Sequence, residues 1–484
     1  MHALLAEHRH RLFPDELFAD LFASGRGRPS VPADVVATVM VLQALEGKSD
    51  REACRSLERD IAWKAAAGLA LTDEAFHPTV LTLWRNKLRA SGDPQRIFNA
   101  VRAVVAETGV LAGKNRRVLD STVLDDAVQR QDTVTMLVTQ IRRARKLIPE
   151  LSRVWVREHN LEGGRPPCDW DDPDDIDRLV SELVDDANEL VWAAEDLQED
   201  GLVLSDAQAD AVALLALVAG QDVEPGDKPG RWQIARRTAG DRVVSTVDPE
   251  SRHVHKTQHS YRDGYKAHVA AEPDTGLVTD VDLTAGNVGD AEAAPDLIDT
   301  EPAGTEVLGD SAYGAGEFRA HLADRQMTAV VKPPPLRPAV EGGFTLDDFD
   351  INRSAGTVCC PAGVTVTITP SRAARFGASC KDCPLRQRCT TATAGRTIVL
   401  HPHHDLLAAA RAQSCADAFL DVYRRHRPMI ERTIAWLVRG PNRKVRYRGI
   451  ERNRLWLAHR AAAVNLTRLI NLGLTHTPGG WAIT

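Results

Sequence analysis

No apolar run in this chain of 484 residues reaches the roughly 20 residues that a membrane-crossing helix needs. The N-terminal stretch from Met1 to Phe13 has neither an uninterrupted apolar core nor a small-residue cleavage site, so no export signal is expected. Cysteine is scarce: there are eight, and five of them crowd between Cys359 and Cys389. That placement argues against a disulfide framework and for a local metal or thiol site in a reducing compartment. The absences together point to a cytoplasmic protein.

Bases are nearly missing from one stretch. From Asp169 to Asp210 sixteen acids face a single base, Arg178. Such a block repels nucleic acid and reads as a solvated, acidic pair of helices. The opposite bias follows near the C-terminus. Between Tyr423 and Arg460 there are twelve Lys or Arg and only two acids, Glu431 and Glu451, in a chain of formal net charge -7. The two tracts belong on different parts of the surface. With 43% hydrophobic residues and this length, about two to four structural units are expected.

The first hundred or so residues read as helical. Val35, Val39 and Leu42 recur at helical spacing, Ser49-Asp50-Arg51-Glu52 resembles a helix start, and Pro78 opens a helix that carries Arg85, Lys87 and Arg89. This unit is either a DNA-binding helical domain or a plain bundle with a polar face. Arg116 to Thr122 is a short strand with an acid, Asp120, at its end. Helical patterns return from Asp132 to Gly220, and the Pro and Gly residues between Gly220 and Gly230 mark a loop. Gly264–Ala271 and Leu277–Leu283 alternate around the turn residues Pro273-Asp274-Thr275-Gly276, a hairpin pattern. A helix at Asp290–Ile298, a strand at Glu306–Asp310, a helix at Gly316–Arg325 and a strand at Thr328–Val331 complete the order. That order predicts an α/β core with helices on both faces.

Metal-dependent phosphodiester chemistry needs acidic ligands converging on a pair of hard cations. Asp120 and Asp310 sit where strands are expected to end, and ligands of open α/β sheets gather there. Glu431 lies on a helix whose start Pro428 is expected to mark. Asp125, Asp126, Asp280 and Asp282 compete for the same role. The first two fall in a polar segment, and the hairpin pair reads as a solvent-facing edge.

Several segments, in order, resemble bacterial insertion-sequence transposases of the DDE superfamily. They are Leu119-Asp120-Ser121-Thr122, Asp263 to Val269, Thr284 to Asp290, Gly309 to Gly314, the Tyr423, Arg427 and Glu431 set, Arg446 to Ile450, and Asn465 to Leu469. The resemblance implies a ribonuclease-H-like mixed-sheet catalytic core over residues 113–484. It also implies an all-helical N-terminal DNA-binding domain over 1–112, a helical insertion at 130–240 and a small Cys-rich insertion at 333–400. It makes Asp120, Asp310 and Glu431 ligands of two Mg²⁺ (or Mn²⁺) ions. The implied partners are double-stranded DNA, as element ends and target, and a second copy of the chain in the DNA complex. The implied location is the nucleoid. The implied reaction cleaves element ends and joins the 3′-hydroxyls to target DNA; the alternative is a catalytically silent DNA-binding regulator.

The chain departs from the family pattern at two points. Three residues separate Tyr423 from Arg427 where many relatives have two, and position 438 is valine where they have lysine. Arg439 stands next to it as a substitute phosphate contact. Arg427 either orients Glu431 or touches DNA. Tyr423, Arg427, Arg439, Arg443, Lys444, Arg446 and Arg448 form the expected DNA-binding set. Cys360, Cys380, Cys383 and Cys389, with C-x2-C spacing inside the set, read either as a structural zinc site or as reduced thiols packed like small hydrophobes.

Overall fold

The structure is a computed structural model and describes residues 1–22, 31–161, 163–237, 239–257 and 260–484. Among the described residues six α-helices open the chain: α1 (His2–Leu12), α2 (Ala33–Glu46), α3 (Asp50–Arg59), α4 (Ile61–Ala67), α5 (Thr79–Arg89) and α6 (Arg96–Glu107). The expected start of α3 is a capping box, in which Ser49 and Glu52 each accept the other's backbone N–H. Strand β1 (Arg116–Asp125) follows, then α7 (Thr133–Leu147), α8 (Pro173–Glu199) and α9 (Asp206–Gln221). These three helices bury their own apolar core, built from residues such as Leu137, Leu183 and Leu215, and expose most of the acidic block. The expected loop after Gly220 contains a short antiparallel pair, β2 (Val223–Pro225) and β3 (Trp232–Ile234).

The central sheet takes β1 together with β4 (Arg252–Thr257), β5 (Ser260–Ala271), β6 (Val278–Ala285), β7 (Glu306–Gly309) and β8 (Thr328–Val331). Its main path runs β6-β5-β1-β7-β8, with β4 pairing the first half of β5. Strand β5 is antiparallel to both β1 and β6, whereas β1, β7 and β8 are parallel. The expected hairpin is present, and its turn brings Gly276 to φ 70°, where a side chain would be strained.

Strand alternation distributes the two cores. Val118 and Leu308 point into the large core shared with the N-terminal helices, and Leu119 and Val307 point the other way. On that other face lie α10 (Asp290–Leu297) and α11 (Gly316–Asp324). A Cys-rich unit follows with β9 (Asp350–Asn352), β10 (Thr357–Cys359), β11 (Thr365–Thr367), β12 (Ala373–Arg375), the single turn α12 (Arg386–Cys389) and β13 (Thr397–Val399). The chain then forms α13 (His404–Ser414), α14 (Asp417–Leu437), α15 (Ile450–Asn471) and the closing hairpin of β14 (Leu474–Thr477) and β15 (Gly480–Ile483).

Helix α15 is buried nearly all round, as expected of a helix passing through a core. Its Asn465 both accepts from and donates to the Val278 backbone at 2.8 Å, extending the hydrogen bonding of β6. Arg460 donates from the same helix to the carbonyls of Ala44, Leu45 and Leu437, so one guanidinium satisfies the C-terminal ends of α2 and α14. That residue is therefore a structural cation, although it lies in the tract read as phosphate-binding.

Four sequence expectations need correction. Strand β1 runs past Asp120 to Asp125, because Ser121 to Asp125 pair with β5 as far as Gly264. Helix α14 starts at Asp417 and contains Pro428, since burial of Phe419, Ile430, Ile434 and Leu437 holds it together across the missing N–H. Asp125 lies within the strand, and Asp126 is buried and accepts from the Ser251 hydroxyl at 2.8 Å. Asp280 and Asp282 are not a solvent-facing edge: they are partly buried beside Arg102 and Arg454.

Candidate active site

The register of the parallel strands sets the first part of the site. The offset that pairs Val118 with Leu308 also carries Asp120 alongside Asp310, one residue beyond the end of β7. Both have the parity of Val118 and Leu308, so both point to the face covered by α14. Asp310 also caps the turn that follows it, accepting from the Ala312 N–H at 2.9 Å.

Arg427, on α14, meets both acids. Its Nη2 lies 2.9 Å from Asp120 Oδ1 and 3.5 Å from Asp310 Oδ2. Its Nη1 donates to the Leu119 carbonyl at 2.7 Å. The arginine side chain is only 11% exposed, against 16% for Asp120 and 42% for Asp310. Burial pushes the Asp120 carboxyl above its usual range, the charge of Arg427 and the Ser121 N–H pull it back, and the charge of Asp310 pushes it up again.

Glu431 lies one turn beyond Arg427 on α14, about 6 Å along the axis, and its side chain is exposed. Of the two readings of Arg427, orienting Glu431 or touching DNA, neither names the partners it has here, the two aspartates across the sheet. Tyr423, one turn before Arg427, is half-buried and stacks on Phe419. Burial pushes its hydroxyl pKa up, Arg427 lowers it, and the charges of Asp310, Asp120 and Glu431 raise it further. All three acids thus act on one phenol.

Sequence reading missed Lys332, which follows β8 and holds its ammonium 4.3 Å from the centre of the Tyr423 ring. A cation directly after the strand Thr328–Val331 was the available signal. Among the described residues, no three His, Cys, Asp or Glu side chains stand close enough to hold a metal ion. The chemistry of the donors nevertheless suits a hard divalent cation: oxygen ligands only, with excess negative charge against a single guanidinium.

The basic tract divides between interior and surface. Arg427 and Arg460 face inward, and Arg454 pairs with Asp282 at 2.7 Å. Arg439, Lys444 and Arg448 are exposed, while Arg443 and Arg446 are half-buried. Lys444 and Val445 join the end of β1, with the Val445 N–H on the Asp125 carbonyl at 2.8 Å. Between this segment and α3 lies an open groove of about 730 Å³, lined by Ser49, Asp50, Arg51, Lys444, Arg446 and Tyr447. Arg51, Arg55 and Arg59 are exposed at successive four-residue steps along α3, forming one basic stripe that sequence reading did not single out. Arg85, singled out on α5, is instead buried: it pairs with Asp50 and lies over the Tyr447 ring.

In the Cys-rich unit, Cys360, Cys380, Cys383 and Cys389 line one cavity of about 20 Å³. Burial raises the Cys389 thiol, Arg396 lowers it, and the charges of the other three cysteines raise it again. The Arg396 backbone N–H points at Cys380 Sγ from 3.4 Å.

Two family models match this chain. One is described as Transposase DDE domain and covers residues 236–466; the other, Transposase domain (DUF772), covers residues 4–87. The first contains Asp310 and Glu431 but begins well after Asp120, which the sheet register brings to Asp310. No curated protein and no solved structure matches the chain significantly.

Proposed function

The chain belongs to the insertion-sequence transposases with a ribonuclease-H-like DDE domain, and on that premise we propose that Asp120, Asp310 and Glu431 form its DNA-cleaving site. The observation that carries this reading is the meeting of Asp120 and Asp310 at one guanidinium, with Glu431 one turn further along the same helix. The reaction is hydrolysis of a phosphodiester at each element end, followed by attack of the freed 3′-hydroxyl on target DNA. Divalent cations held by the three acids would activate the attacking oxygen and stabilise the leaving one.

The remaining work belongs to side chains of this chain. The partly buried Asp120 and the capping role of Asp310 place two carboxylates before DNA arrives, so only Arg427 and Glu431 have to move. Exposed Glu431 and Lys332 face the side from which a phosphate must approach. Arg51, Arg55 and Arg59 on α3, with Arg439, Arg443, Lys444, Arg446 and Arg448, line the path of the duplex and neutralise its phosphates. The groove adjoins the end of β1, five residues and about 17 Å from Asp120. Cleavage at two element ends is best served by two copies of the chain, and a homodimer in the DNA complex is part of the proposal.

The Cys-rich unit completes the reading. Its core has only seven buried hydrophobic residues, too few to hold such a unit firmly. The four thiols line one cavity without standing close enough to hold an ion as they are, so the C-x2-C spacing carries the proposal of a structural zinc ion that draws them together. Metal analysis of the purified protein tests this, with one zinc per chain expected and none in Cys383→Ser.

The function itself is tested by incubating the protein with duplex carrying the element ends, with and without Mg²⁺. Nicking and joining only with Mg²⁺ support the proposal. Binding without nicking would favour the catalytically silent regulator.

A further inference from the structure

Arg427 sits where the site's counter-charge is needed. Its guanidinium reaches Asp120, Asp310 and the Leu119 carbonyl together, and it is almost removed from solvent. A planar guanidinium in such a place supplies directed, charge-assisted hydrogen bonds, and separating it from its carboxylates is costly. A divalent cation binding the same aspartate oxygens must compete for them with this resident charge.

We infer that Arg427 is a built-in counter-ion that keeps Asp120 and Asp310 paired, lowers their affinity for divalent metal in the free protein, and releases them when a DNA phosphate draws the guanidinium away. The inference rests on reading Asp120 and Asp310 as metal ligands. Three features support the exchange. Among the described residues, Arg427 donates to one backbone carbonyl besides its two acids, so its anchorage is mainly ionic. The exposed Glu431 is one turn away on the same helix, so a phosphate near it lies within reach of the guanidinium. Arginine also binds phosphate as readily as carboxylate, in the same fork geometry. By linkage, DNA that pulls Arg427 aside raises metal affinity, and metal raises DNA affinity by the same factor. The chain would then be a poor metal binder until it holds DNA, a safeguard against cleavage away from its substrate.

The test is Mn²⁺ titration of the full-length chain without DNA, reading free Mn²⁺ by electron paramagnetic resonance and thermal stabilisation in parallel. Arg427→Gln should bind Mn²⁺ at least about tenfold more tightly than the parent, and the parent's gain in affinity on adding duplex DNA should shrink in the variant. Arg427→Lys, which keeps the charge but loses the fork, should fall between the two and serves if the glutamine variant does not fold. Equal or weaker Mn²⁺ binding by Arg427→Gln, or by Arg427→Lys in its place, would overturn the inference. Asp120→Asn separates the two levels: if it leaves Mn²⁺ affinity unchanged, the ligand reading itself fails.

Discussion

Asp120 on β1 and Asp310 just past the end of the neighbouring parallel strand β7 share one guanidinium, with a single nitrogen of Arg427 2.9 Å from the first and 3.5 Å from the second. The two acids differ in burial, and their contributions to stability should differ with it. Asp120→Ala leaves a buried guanidinium short of its nearer partner and should cost about 1–3 kcal/mol. Asp310 is more than one-third exposed, so Asp310→Ala should cost under about 1 kcal/mol. Urea unfolding of both variants checks the ranking, and equal losses would contradict it.

A second prediction concerns the groove between α3 and Lys444 to Tyr447. If Arg51, Arg55 and Lys444 each neutralise a phosphate, replacing any one with Gln should lower the slope of log affinity against log salt by about one. The change should be independent of DNA sequence, because phosphate contacts carry no base information. Affinity measured across a salt series decides this; an unaltered slope would remove those residues from the DNA path.

The third prediction is a pH dependence. Burial, with the neighbouring acids Asp282 and Glu301 adding, raises Asp280 to about 6 from an ordinary value of 3.8, against the opposing charge of Arg102. Between those two values the folded state holds the proton more tightly than the unfolded state, so stability falls as pH rises through that window. At neutral pH the charged carboxylate should cost about 1–3 kcal/mol. Asp280→Asn should flatten this part of the stability profile and stabilise the protein above pH 6, as denaturant midpoints at acid and neutral pH would reveal.

Gly264 supplies the fourth. A Cβ built there would lie 2.0 Å from the Leu124 carbonyl oxygen, and φ is 154°. Strand β5 faces the end of β1 at this position, so Gly264→Ala must push the two strands apart. A loss above about 3 kcal/mol is expected, visible as a fall in the denaturant midpoint or in soluble yield.

These relationships were unequally legible in the sequence. The capping box at Ser49 and Glu52 and the turn at Pro273 to Gly276 are local signals, and the structure carries both. Helices and strands from Asp290 to Val331 follow the expected order for the same reason. Long-range partners were not legible. Asp125 reads as part of a polar segment after a strand that ends at Thr122, yet pairing with β5 carries the strand on through Asp125. Pro428 looks like a helix start, yet packing of Phe419 and Ile430 carries α14 through it. The acids Asp120, Asp310 and Glu431 were recognisable by type and position, but nothing local says that Arg427 turns toward the aspartates and away from Glu431. Nor does spacing reveal that Arg85 and Arg460 are interior while Arg51, Arg55 and Arg59 share one exposed stripe.

The most direct measurement is Mg²⁺-dependent nicking and strand transfer by Glu431→Gln on duplex carrying the element ends, with DNA binding followed in the same samples. Glu431 is exposed, so the variant should fold and bind DNA like the parent. Loss of both nicking and joining with binding retained is the result this account predicts. Strand transfer that persists in the variant would contradict it, and would send the search for the third ligand elsewhere on the molecule.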